Sequence, residues 1–128
     1  MQEAVNSGWW KRWWPVVAWA AVLFGQSSVP GSDIPKFIPT IGWDKLYHFG
    51  LYAILAILAM RSRRGSAFAV WSVLLFCVAY GASDEFHQWF VPGRTASVWD
   101  LLADSLGAGA GVLLFLAWQR RMKRKQAV

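Results

Sequence analysis

Apolar residues fall into four runs along the chain, at about 13–29, 43–60, 66–90 and 98–118. Each is close to the roughly 20 residues a helix needs to cross a bilayer. The first is the shortest. Lys11 and Arg12 precede it, and Pro15 suits a first helical turn. A cleaved signal peptide is the competing reading of this run, but Gly25-Gln-Ser-Ser-Val-Pro offers no clear small-x-small cleavage site. Residues 25–43 read as a loop, because Pro30, Gly31, Pro35, Pro39 and Gly42 punctuate them too often for a helix. Arg61, Ser62, Arg63, Arg64 and Gly65 make a tight basic connection between the second and third runs. The third run ends before Val91-Pro-Gly, and residues 92–97 form a short turn into the fourth. The pattern predicts an all-α polytopic membrane protein, with a single domain over 1–128 built as a four-transmembrane-helix bundle.

Composition agrees. Apolar residues make up 56% of the chain and charged residues 16%, against about a quarter charged in soluble domains. Cys77 is the sole cysteine, so neither an internal disulfide nor a cysteine metal cluster can form. A net charge of +6 raises nucleic acid as a partner, and the placement of the charges argues against it. Of the 13 basic residues, ten lie before the first run, between the second and third, or after the fourth; only Lys36, Lys45 and Arg94 fall on the other side. The positive-inside rule then predicts four crossings with both termini cytoplasmic. Tryptophans fit the same frame. Trp9, Trp10, Trp13, Trp14 and Trp118 fall near the inner interface, and Trp43, Trp89 and Trp99 near the outer one. The basic tail after Trp118 reads as an orientation anchor, with no aromatic–basic platform for nucleic acid.

Against this apolar background the ionisable groups concentrate at one level. Asp44, His48, Asp84, Glu85, His87, Asp100 and Asp104 all lie towards the outer ends of their runs, with Gln88 and Arg94 beside them. At about 1.5 Å per residue, each is within roughly 10 Å of its helix end. Ionisable groups at membrane depth are costly and therefore mark function by default. Asp44 and His48 share a helix face, about 40° apart at i, i+4, and Tyr52 extends the stripe. Asp100, Asp104, Gly107 and Gly111 fall within about 60° on a helical wheel, so the two aspartates sit above a small-residue seam. Convergence of Asp44, His48, Glu85, Gln88, Arg94, Asp100 and Asp104 into one outward-opening pocket is expected. Structural readings compete: Asp44 and Asp100 as helix caps, Asp84–Arg94 as a structural ion pair, and His48 as a packing residue.

At these residues the chain resembles the VanZ-like family of membrane proteins. The resemblance rests on Asp44-Lys-Leu-Tyr-His48-Phe, on Asp84-Glu85-Phe-His-Gln88-Trp-Phe-Val-Pro-Gly-Arg94, and on Asp100-x-x-x-Asp104-x-x-Gly107-x-x-x-Gly111. These motifs keep the family's order and spacing over about residues 36–115. The family often carries asparagine where this chain has Asp104. The resemblance implies a small bacterial protein of the plasma (inner) membrane. The family's namesake is linked to low-level resistance to the glycopeptide antibiotic teicoplanin, which makes a resistance role here an analogy at family level.

Two functions follow as expectations. One is a cell-envelope factor, linked by that analogy to glycopeptide resistance, whose pocket binds a membrane lipid or a lipid-linked envelope precursor. The other is a membrane-embedded enzyme acting on such a substrate by acid/base chemistry. In the second, Asp44, His48, Glu85 and Asp100 are the catalytic candidates, while Arg94, Gln88, Asp84, Asp104 and His87 bind substrate. No cofactor motif is evident, though a hard divalent cation on the carboxylates is conceivable. Proton-coupled transport fits poorly, because the inner halves of the runs offer no polar path.

Overall fold

The computed structural model describes residues 2–34, 42–63 and 67–127. Within them the chain is helical and without strands. It comprises α1 (Gln2–Ser27), a short 3-10 turn (Gly31–Asp33), α2 (Trp43–Ser62), α3 (Ala67–Gln88) and α4 (Val98–Gln126). Pro35, Lys36, Pro39, Arg64 and Gly65, read above as loop and connection, lie outside the described residues.

Two helices are longer than the apolar runs. α1 starts at Gln2, not near residue 13, so Pro15 lies inside the helix and not in its first turn. Gly8 is the weakest helix former before Arg12, by about 1 kcal/mol relative to alanine, and no proline precedes Pro15. Proline in the interior leaves the Lys11 carbonyl without its intrahelical N–H partner. α4 continues beyond Trp118 to Gln126. Lysine and arginine are good helix formers, and Lys123, Arg124 and Lys125 in the last turn oppose the dipole favourably. Hydrophobic runs report where a helix is buried or lipid-facing, not where its hydrogen bonding stops.

α2 packs most extensively against α4, and α4 next against α3. Each helix buries one stripe. On α2 it comprises His48, Tyr52, Leu55, Ala56, Ala59 and Met60. On α3 it runs through Ala69, Val73, Cys77, Asp84 and Gln88. On α4 it is Asp100, Asp104, Gly107, Ala108, Gly111, Val112 and Phe115. These are helical spacings of three and four residues. In all three the stripe is apolar at one end and polar at the other.

The Gly107–Gly111 seam meets the backbone of α2. A Cβ on Gly107 would overlap the Phe49 carbonyl, and one on Gly111 would overlap that of Ala53. The small-residue seam thus allows close approach, as such seams do in membranes. The order of these contacts makes α4 parallel to α2. Three hydrogen bonds fix α1 to its neighbours: Trp19 Nε1–H donates to the Leu51 carbonyl (3.0 Å), Tyr80 OH to Ala20 (2.6 Å), and Ser62 OH to Arg12 (2.6 Å). The last brings the basic ends of α1 and α2 together. The opposite end of the bundle gathers the N-termini of α2 and α4 and the C-terminus of α3.

The outer surface is apolar. Trp71, Phe68, Leu75 and Leu113 are each at least two-thirds exposed, and Leu106, Leu114, Trp89 and Trp99 are exposed too. α4 and the part of α3 from Phe68 to Gln88 are long and apolar enough to cross a membrane.

Candidate functional site

The polar ends of the three stripes meet at the end of the bundle where α2 and α4 begin and α3 stops. Asp104 is fully buried, and its Oδ1 lies 3.0 Å from His48 Nδ1. An ionised carboxylate can only accept, so beside one Nδ1 carries the hydrogen. Asp104 Oδ2 has no protein partner and faces Gly81 of α3, where a Cβ would lie 3.1 Å away. Gly81 therefore makes room for the acid, a role the sequence reading missed.

Glu85 is buried beside this pair. The backbone N–H of Ser97 donates to its Oε2 at 2.7 Å, while Oε1 is buried without a partner. Ser97 also caps α4, its Oγ accepting from the Asp100 N–H at 3.4 Å. One serine thus starts α4 and holds the acid at the end of α3. Its signal was legible as Ser97-x-x-Asp100, a serine three residues before an acid at the head of an apolar run. Lys45 was also overlooked as a site residue. Its ammonium group contacts Asp100 Oδ1 and lies 2.9 Å from Asp44 Oδ2.

The expected residues do not all sit together. His48, Glu85, Asp100 and Asp104 come together at the centre. One ring nitrogen of His48 and one oxygen each of Glu85 and Asp100 lie within 4.8 Å of one another, a group able to hold a metal ion. Asp84 and Gln88 are buried next to it. Both Asp84 oxygens lack a hydrogen bond of good geometry, although Ser27 and Gln88 stand beside them. Asp44 is at the rim, half exposed and paired with Lys45. His87 turns instead to α1, stacking on Phe24 at 4.5 Å with its Nε2 3.0 Å from Ser28 Oγ. Arg94 is half-buried in the turn after α3, and among the described residues neither it nor Asp84 forms an ion pair.

Carboxylates at the N-terminal turns of α2 and α4 also gain from the helix dipoles, worth about 0.3–1 kcal/mol each. That accounts for Asp44 and Asp100, which sit in first turns. It does not account for Asp104, a turn deeper, nor for Glu85 and Asp84 at the C-terminal end of α3, where the dipole opposes them. Buried polar groups without partners call for an explanation, and function is the usual one.

An all-helical bundle with two membrane-length apolar helices and a buried carboxylate–histidine cluster at one end defines the class. The profile of the VanZ/LLP1 family matches residues 3–119, and the chain belongs to that family. No curated protein and no solved structure matches the chain.

Proposed function

We propose that the chain is a multi-pass protein of the bacterial inner membrane, with both termini cytoplasmic. In this reading the pocket between α2, α3 and α4 opens outward and binds the headgroup of an envelope lipid or lipid-linked precursor. The observation that carries it is the buried cluster of His48, Asp84, Glu85, Asp100 and Asp104 in a bundle whose outer surface is apolar. Charges held at such depth are retained when they do something. Carboxylates suit sugar hydroxyls and amines as hydrogen-bond donors, while Lys45 and Arg94 supply cations for a phosphate. Family membership supports an envelope role, and the teicoplanin link of the family's namesake extends it, by analogy, to antibiotic resistance.

Native mass spectrometry from detergent tests this reading. The wild-type protein should retain a polyprenyl phosphate or a polyprenyl diphosphate-sugar in preference to phosphatidylglycerol. Glu85→Gln and Arg94→Gln should reduce that retention while leaving the helical content unchanged. Equal retention of all three lipids by the wild type and both variants would sink it.

A second reading, acid/base catalysis on the same substrate class, is favoured by one observation. Asp104 Oδ1 lies 3.0 Å from His48 Nδ1, the placement in which an ionised carboxylate orients a neutral general-base histidine. Product formation from a bound lipid-linked substrate, abolished by Asp104→Ala or His48→Gln, would separate turnover from binding.

A further inference from the structure

The pocket end carries more negative than positive charge. Asp84 and Glu85 of α3 and Asp100 and Asp104 of α4 are buried there together, and the Lys45 ammonium contacts Asp100. From this geometry we infer a divalent-cation site formed by His48, Glu85 and Asp100, with Zn²⁺ the best-suited ion. The inference rests on the proposed pocket and names what would hold a phosphate there.

Four observations support it. First, the three residues come from three helices, and their ligand atoms lie within 4.8 Å of one another. Tetrahedral zinc–ligand bonds of about 2.0–2.2 Å put donor atoms about 3.3–3.6 Å apart, so the set closes by movement of roughly 1 Å. Second, Glu85 is more than nine-tenths buried, and its Oε1 has no hydrogen-bond partner. A buried carboxylate oxygen without a donor is available to a cation. Third, a carboxylate hydrogen-bonded to one ring nitrogen, as Asp104 is to His48 Nδ1, is the usual support of a metal-binding histidine. It gives fully buried Asp104 a task beyond packing. Fourth, Lys45 bridges Asp44 and Asp100. When Asp100 turns to the ion, the ammonium keeps Asp44 as its partner and no charge is stranded.

The imidazole favours Zn²⁺ over Mg²⁺, and zinc accepts carboxylate oxygens as well. Three protein ligands leave a coordination position open, as in zinc sites that bind substrate. A phosphate oxygen of a lipid headgroup would take that position.

The test uses the full chain in detergent, stripped with a chelator and titrated with Zn²⁺. Bound ion is measured by elemental analysis after desalting and by calorimetry. About one ion per chain is expected on the wild type. Glu85→Gln and Asp100→Asn should weaken binding at least tenfold, and Asp104→Asn by about 10–100-fold through His48. Lys45→Met removes the internal competitor for Asp100 and should tighten binding. Asp33→Asn, an exposed acid elsewhere, should change nothing. Absence of a stoichiometric ion on folded wild type overturns the inference, as does weaker binding to Lys45→Met. Lipid retention measured on the same samples keeps the two readings apart. Stoichiometric Zn²⁺ with no retained phosphate lipid supports the ion site and sinks the headgroup reading alone.

Discussion

Gly107 sets how closely α4 approaches α2 one turn below the Asp104–His48 pair, so the smallest possible enlargement there tests both fold and site. In Gly107→Ala the new Cβ would lie 2.8 Å from Phe49 Cα and its carbonyl carbon, and nearer still to the carbonyl oxygen. These are backbone atoms of a helix, so no side chain can swing aside and α2 itself must move. Overpacking of this kind costs about 1–3 kcal/mol, and the better helix propensity of alanine returns about 1 kcal/mol. Gly109 is the internal control, because a Cβ there has nothing within 4 Å. Gly109→Ala should keep the propensity gain without the clash. The two variants, each a single added methyl two residues apart, should therefore differ by the overpacking cost alone, about 1–3 kcal/mol, with Gly107→Ala the weaker. Unfolding of detergent-solubilised protein by a denaturing surfactant, followed by circular dichroism, measures this. Gly107→Ala as stable as Gly109→Ala would refute the α2–α4 seam, and with it the register that brings Asp104 to His48.

Three more outcomes are expected. Asp104→Asn should fold as well as the wild type or better, since an amide oxygen still accepts from His48 Nδ1–H and the unpartnered Oδ2 charge disappears; Asp104→Ala should lose about 1–3 kcal/mol by leaving that donor buried and unpaired. Comparing the two by thermal unfolding would expose an error if asparagine proved the worse. Ser97→Ala should destabilise α4 by about 0.5–2 kcal/mol through loss of its cap while preserving the backbone N–H that holds Glu85, so hydrogen exchange should rise in the first turn of α4 and not at the end of α3. For topology, cysteines at exposed Ser32 and Ala96 should react with an impermeant maleimide in intact cells, and one at Ala127 only after permeabilisation; the reverse pattern would invert the orientation.

The sequence alone determined the all-helical class, the helix count and the gathering of polar groups towards one end of each run. Periodic apolar runs broken by Pro-Gly and Arg-rich segments suffice for that, because helix formation and burial are read locally. α2 and α3 fall within two residues of the runs that announced them. The inward face of α4 was legible as well, since Asp100, Asp104, Gly107 and Gly111 share one side of a helix at fixed angles whatever surrounds it. The sequence did not reveal the ends of α1 and α4, where polar but helix-competent residues carry the hydrogen bonding beyond the apolar run. Partnership across helices was also decided by tertiary structure alone. That Asp104 meets His48 and not Arg94, that Lys45 joins Asp100 55 positions away, and that His87 turns to Ser28 just after α1 all depend on relative helix rotation. Rotation is set by the summed packing of whole stripes, and above all by how closely two glycines let α4 approach α2. A spacing within one helix fixes which side chains share a face, but only the packed bundle decides what that face meets.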